Sequence, residues 1–259
     1  METLKVNGLI IREVSVGDSD KLITVLTDTL GKITVSCKGV RNIKSRRIAA
    51  SQLFSYGELL LSVRGGRYYL SDATVENSFF ELNSSLEKLS LAQYFCQVVS
   101  CVTVENEDQR DILSLILNSI YVLCHTDKDP DFVKAVFEMR LCALVGFCPD
   151  LLACQSCGFE FDSFEKGAYL DIGGGCLICS DCLLNDGQKD SIIPLDRHIL
   201  SALKYIVSAP PKKIFSFTLS DDKRSAKDLS DITEKYLRYH LDRGFETLDF
   251  YHSISGLQV

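Results

Sequence analysis

The stretch from Cys154 to Cys182 constrains this chain more than any other. It opens with CQSCG, closes with GGGCLICSDC, and holds five of the eleven cysteines. Cys154 and Cys157 form one C-x-x-C, and Cys176, Cys179 and Cys182 form two that overlap. Two such pairs facing each other bring four thiolates to the corners of a tetrahedron, the coordination zinc prefers. Gly158 and Gly173 to Gly175 supply the backbone freedom that tight turns between paired sulfurs demand. One zinc takes four of the five sulfurs. The set Cys154, Cys157, Cys176 and Cys179 leaves 18 residues between pairs, and the set ending in Cys179 and Cys182 leaves 21. Spacing alone mildly favours the first. A disulfide cluster or a group of plain buried thiols is the competing interpretation, but core packing seldom produces overlapping C-x-x-C pairs. Catalytic zinc sites recruit His or carboxylate and keep a water position, and no His lies between Cys154 and Cys182. A structural zinc is expected.

At 259 residues the chain is long enough for two domains, or for one domain carrying a module. A composition of 46% hydrophobic and 24% charged residues is that of a globular protein, not of a disordered chain. No early segment combines a charged start, an apolar run and a small-residue cleavage site. The longest apolar runs fall far short of the ~20 residues a membrane-spanning helix needs. Cysteines scattered singly outside the cluster fit a reducing compartment, so the cytoplasm is the expected location. The net charge of -7 argues against a polyanion ligand until its distribution is read. Residues 1–75 carry eleven Lys and Arg against seven Asp and Glu. No acid falls between Asp28 and Glu58, where Lys32, Lys38, Arg41, Lys44, Arg46 and Arg47 all lie. That asymmetry points to an N-terminal part built for polyanions.

Residues 4–14, 20–29, 31–40, 52–64 and 67–76 read as five strands. In the third, Ile33, Val35 and Cys37 alternate with Lys32, Thr34, Ser36 and Lys38. Residues 28–31 predict a turn, and Arg64-Gly65-Gly66-Arg67 predicts a tight hairpin. Five short antiparallel strands in about 75 residues suit an OB-fold barrel, with an SH3-like barrel the other option. From about residue 84 the period changes to 3.6. Helices are predicted to begin near Ser84 and Ser85 and to cover 108–124, 131–147, 196–207 and 225–243. The fold class is therefore mixed β and α: a five-stranded OB-fold barrel over 1–80, then an all-helical domain over 81–259 carrying a four-cysteine zinc module at about 150–190.

Among residues able to do chemistry, the basic run KGVRNIKSRR at 38–47 is positioned to neutralise a row of phosphates, which makes binding salt-dependent. Arg64 and Arg67 flank the predicted hairpin and extend the stripe, with Tyr56, Tyr68 or Tyr69 available to stack on bases. A solvated basic loop with no ligand is the simpler alternative. No phosphate-binding G-x-x-x-x-G-K-[ST] or G-x-G-x-x-G motif is present, and the four histidines stand singly, so no enzyme activity is expected. Glu138 and Arg140 are expected to tether a helix to the module through a partly buried ion pair.

Together these stretches resemble the bacterial recombination mediator family RecO. The resemblance lies in GLIIREVSVGDSDKLITVLTDTLGKITVSCKGVRNIKSR at the N-terminus, in FEMRLCALVGFCPDLLACQSCG at 137–158, and in YLRYHL at 236–241. It spans essentially the whole chain, and the middle segment is the most specific. It implies an OB-fold followed by a helical domain, with binding of single- and double-stranded DNA and annealing of complementary strands without ATP. It also implies work with RecR to load RecA onto DNA coated by single-strand-binding protein, in the cytoplasm at the nucleoid. The family's second cysteine pair follows a Gly-Gly and two further residues, which implies zinc ligands Cys154, Cys157, Cys179 and Cys182, with Cys176 still a contender. Lys38 and Arg41 match the family's basic segment and Lys44, Arg46 and Arg47 continue it, whereas Arg64 and Arg67 rest on the electrostatic argument. The alternative function is a zinc-ribbon protein–protein adaptor with no annealing activity of its own.

Overall fold

The structure, a computed structural model, describes residues 2–42, 45, 47–161, 166–186, 191–219 and 223–255. Its first five strands are β1 (Glu2–Val16), β2 (Asp20–Thr27), β3 (Lys32–Cys37), β4 (Tyr56–Arg64) and β5 (Arg67–Asn77). They form a closed barrel in the order β1-β2-β3-β5-β4. Closure depends on the length of β1, whose residues 2–9 pair with β4 while residues 8–16 pair with β2. A register shift between Ile10 and Arg12 lets one strand serve both neighbours, since an irregularity of this kind bends a strand. The joint between β3 and β5 is short and parallel, Val35 opposite Tyr68 and Ser36 opposite Tyr69. Order and closure are those of the five-stranded barrel expected from the sequence.

Alternation explains the interior. Ile33, Val35 and Cys37 point inward and are buried with Val6, Ile10, Ile23, Val25, Leu59, Leu61 and Leu70. Each aliphatic side chain so buried contributes about 1.5–3 kcal/mol. Gly31, with φ at 66°, begins the bridge that carries β3 onto the 103–107 segment. A Cβ there would stand 2.1 Å from the Val104 carbonyl oxygen, so no side chain fits.

The α-helices among the described residues are α1 (Leu86–Val102), α2 (Arg110–His125), α3 (Pro130–Leu144), α4 (Ser180–Asp186), α5 (Arg197–Ser208), α6 (Lys223–Leu241) and α7 (Glu246–Ser255). Ser85 caps α1 by accepting from the Lys88 amide, and Asp129 caps α3 by accepting from the Asp131 amide, with Pro130 in the first turn. By contact density the chain forms two compact units. The first joins the barrel, α1 and α2 to the C-terminal stretch from Phe245; the second runs from Asp127 to Gly244. Helix α7, which the sequence pattern does not reveal, belongs to the first unit. Phe245, just ahead of it, packs edge-on against Tyr94 of α1, with ring centroids 5.6 Å apart.

In the second unit the segment between α3 and α5 is itself a sheet, of strands β6 (Asp150–Cys154), β7 (Ala168–Asp171), β8 (Cys176–Cys179) and β9 (Ile192–Leu195) in the order β6-β8-β7-β9. Helices α3 and α6 meet over Lys134, which is fully buried. Its ammonium lies 3.2 Å from Glu138 and 2.8 Å from Glu234, and donates to the Ser230 hydroxyl at 3.0 Å. Burial pulls the Lys134 pKa down, but the two carboxylates outweigh it and hold it above the ordinary value. The expected tether of Glu138 and Arg140 to the module is corrected here. Glu138 accepts from Thr233 of α6 at 2.7 Å, while Arg140 donates to the Val207 carbonyl at the end of α5 at 2.7 Å. Both side chains anchor helix to helix, Glu138 through a hydroxyl of α6 and Arg140 through carbonyls at the end of α5 that lack partners within their helix.

Candidate functional site

The residues of β3 that point away from the barrel interior line a cleft of about 440 Å³, shared with β2 and β5. Lys32, Thr34, Ser36 and Lys38 lie on one side, Arg67, Tyr68 and Tyr69 on the other, with Glu105 at an edge. Period-two alternation thus puts cations and hydroxyls on one surface of the strand whose opposite surface builds the core. Lys32 is partly spoken for, since its ammonium donates to the Ser100 carbonyl near the end of α1. Burial first, and then the carboxylate of Glu105, raise the Tyr68 phenol, which keeps the ring neutral. Tyr68, opposite the inward Val35, packs against the barrel core, so Tyr69 is the ring that stands beside the cations and can take a base.

The sequence-predicted basic residues divide by what they touch. Lys38 lies in the cleft with an exposed side chain, and its ammonium is 2.7 Å from Asp20. Arg67 lies across from it, and Arg64 sits over the Tyr69 ring at 5.8 Å from the centroid. Arg41 is exposed and donates to the Gly17 carbonyl in the β1–β2 turn at 3.0 Å. Arg47 serves the fold, because its guanidinium donates to the carbonyls of Leu70 at 2.6 Å and Lys38 at 3.1 Å. Lys44 and Arg46 lie outside the described residues. Tyr56 does not line the cleft, whereas Tyr68 and Tyr69 do. Sequence reasoning leaves Lys32, Thr34 and Ser36 out of its site, although their alternation with Ile33 and Val35 is the signal that finds them.

The cysteines make the second constellation. The sulfurs of Cys154, Cys157, Cys179 and Cys182 all lie within 4.8 Å of one another, and Cys157 Sγ is 3.7 Å from Cys179 Sγ. Metal–sulfur bonds of about 2.3 Å in a tetrahedron give edges of about 3.8 Å, so the cluster fits a tetrahedral thiolate-bound ion. Cys176 is not in the group, which reverses the mild preference from spacing. Cys176 opens β8 and Cys179 ends it, three positions later, so the two side chains leave opposite faces of the strand. Cys182 follows in the first turn of α4, which turns its sulfur back toward Cys179. Among the described residues of the module, Gly158 and Gly175 are the glycines with left-handed φ, at 72° and 60°. Burial pushes the Cys154 thiol up, but amides of Cys179, Cys157 and Ser156 overcome it and bring the pKa down to about 6. The Cys179 amide donates to Cys154 Sγ at 3.3 Å, the support a coordinating thiolate needs.

An OB-fold barrel with a cationic, tyrosine-lined cleft, followed by helices around a four-cysteine site, defines the class: an oligonucleotide-binding-fold protein with a metal-type module. Comparison with known proteins is more specific. The family model described as Recombination protein O N terminal matches residues 1–79, and that described as Recombination protein O C terminal matches residues 83–249. The chain belongs to the RecO family. It is 32% identical to the DNA repair protein RecO of Acetivibrio thermocellus, over the full length of both chains. The protein of the same name from Caldicellulosiruptor bescii is 27% identical, covering 98% of this chain and 100% of the relative. That from Symbiobacterium thermophilum is 26% identical over 96% and 97% of the two chains. No helix among the described residues is long and apolar enough to cross a membrane.

Proposed function

We propose that this chain is a DNA repair and recombination mediator that binds single- and double-stranded DNA and anneals complementary strands without ATP. With RecR, it helps RecA load onto DNA coated by single-strand-binding protein. One observation carries the reading: in a RecO-family barrel, Lys32, Lys38 and Arg67 share a single cleft with Tyr68 and Tyr69. Cations in that cleft neutralise phosphates and release counterions, which reduces the repulsion between two strands. The Tyr69 face accepts any base, so any complementary pair can zip together. Base pairing supplies the free energy, and the chain acts without catalysis. Residues 1–80 form the DNA-binding part, residues 81–259 carry the module and the partner surfaces, and the protein works in the cytoplasm at the nucleoid.

The four-cysteine site holds a structural Zn2+ on Cys154, Cys157, Cys179 and Cys182. Bound zinc supplies a cross-link between the β6 turn and the β8–α4 turn and takes no part in chemistry. Backbone amides bias Cys154 toward its thiolate, whereas hydrogen bonding to Cys157 and Cys179 raises the Cys182 thiol, so loading must release the Cys182 proton.

A strand-annealing assay on bare and on protein-coated DNA tests the reading. Faster annealing than the spontaneous rate on both substrates supports it, and no acceleration on either defeats it. The adaptor alternative is favoured by Leu152 and Leu184 of the module, which are 73% and 85% exposed. It requires that substitutions at these leucines abolish partner binding while the chain shows no salt-dependent affinity for DNA.

A further inference from the structure

Glu105 lines the cationic cleft, and a second carboxylate, Asp20, stands beside it on Lys38. Asp20 opens β2, and the β2–β3 register, with Lys21 opposite Cys37, sets it directly across from Lys38. Both oxygens of Asp20 are engaged. Oδ2 lies 2.7 Å from the Lys38 ammonium, and Oδ1 accepts from the Gly39 amide at 2.8 Å. Gly39 has φ at 62°, the left-handed conformation that turns the chain away just after this amide. An ammonium and a backbone amide converging on two oxygens of one anion are the donors that hold a phosphate's two non-bridging oxygens. The Lys38 side chain is 66% exposed and the Asp20 side chain 22%, so solvent and ligands reach the pair from the Lys38 side. Exposed ion pairs hold weakly, so an incoming phosphate can displace the carboxylate.

We infer that Asp20 is an internal competitor for a phosphate slot formed by Lys38 and the Gly39 amide, and that nucleic acid must expel it to bind there. The inference rests on the reading of the cleft as the phosphate-binding face, and it adds a regulation to that face. A slot that closes on its own carboxylate whenever a phosphate leaves speeds release of the strand. An annealing protein needs such release, because it must let go of the duplex it forms.

The test is a salt titration of the full chain with a labelled oligothymidylate, read by fluorescence anisotropy. Asp20→Asn keeps an oxygen for the Gly39 amide and removes the charge that holds Lys38. It is expected to bind about threefold to fivefold more tightly near physiological salt. Its slope of log affinity against log salt should stay that of the wild type, because Lys38 meets the same phosphate in both. Asp18→Asn removes the same charge from the same turn without touching the Lys38 pair, and should give less than half that gain with no change of slope. In a Lys38→Gln background, Asp20→Asn should give no more than the gain of Asp18→Asn. An Asp20→Asn no tighter than Asp18→Asn, or one that keeps its full gain in the Lys38→Gln background, overturns the inference while leaving the cleft reading intact. A wild-type chain with no salt-dependent binding defeats the cleft reading itself and the inference with it. Independently of any variant, the Asp20 carboxyl carbon resonance of the wild-type chain should shift on saturation with oligonucleotide. A resonance that stays in place overturns the inference.

Discussion

The barrel and the cysteine module both rest on a small sheet, and they stabilise it by opposite means. The barrel has strands of up to 15 residues, closes on itself, and fills its interior with aliphatic side chains. The module has strands of four or five residues and leaves β6 and β9 as edges. Four sulfurs gather at one end of it. Cysteine itself records the difference. In the barrel, Cys37 is one more core residue, and burial pushes its thiol up to about 12 against the weaker pull of Arg47 and Lys21. In the module, backbone amides bring Cys154 down to about 6. The same side chain is an inert apolar filler in one region and a ready metal ligand in the other.

The largest break in that comparison comes from denying the four-cysteine site the metal proposed for it. Structural zinc supplies about 10–16 kcal/mol in small zinc-binding peptides. Chelation, or Cys154→Ser, should erase amide-exchange protection across β6–β9 while β1–β5 keep theirs. Protection lost in both regions, or in neither, would contradict the division. Next in size is Lys134→Met between α3 and α6, which strands two carboxylates in a buried site. Breaking a buried pair in this way costs about 3–5 kcal/mol, measurable as a lower urea midpoint for the second unit. The folded Lys134 pKa is raised, so its contribution is complete below the unfolded value of 10.5 and is lost only as pH climbs through the higher folded value. Stability tied to Lys134 should therefore stay flat across neutral pH. Smaller again is Gly31→Ala, which forces a Cβ into the left-handed region and against the Val104 carbonyl. A strain of about 1–3 kcal/mol should appear as a lower melting temperature of the barrel, with the module's metal content unchanged.

The barrel is legible in the sequence because its signals are local. Ile33, Val35 and Cys37 set the period of β3, and Gly65-Gly66 fixes the hairpin before β5. Five strands then leave few closed topologies. Most of the helices are legible for the same reason, with Asp129-Pro130 marking the start of α3. The sheet of the module is not, since strands of four or five residues carry too little period to register. Helix α7 escapes because its place depends on Phe245 meeting Tyr94, far away in sequence. In the metal site, spacing points to Cys176. The resemblance points to Cys182, and the three-residue step along β8 explains why the sulfurs of Cys176 and Cys179 diverge. Along the basic run, composition cannot distinguish Lys38, which faces the cleft, from Arg47, whose guanidinium holds two backbone carbonyls. Charge is visible in a sequence, but what a charge is spent on depends on carbonyls brought near by folding.

The most direct test of the barrel as a phosphate-binding surface is the salt dependence of single-stranded DNA affinity in Lys38→Gln/Arg67→Gln beside the wild-type chain. Each lost phosphate contact lowers the slope by about 0.7, so the double variant should fall by about 1.4 and bind more weakly at every salt concentration. A slope and affinity equal to the wild type's would contradict the assignment of this cleft to nucleic acid.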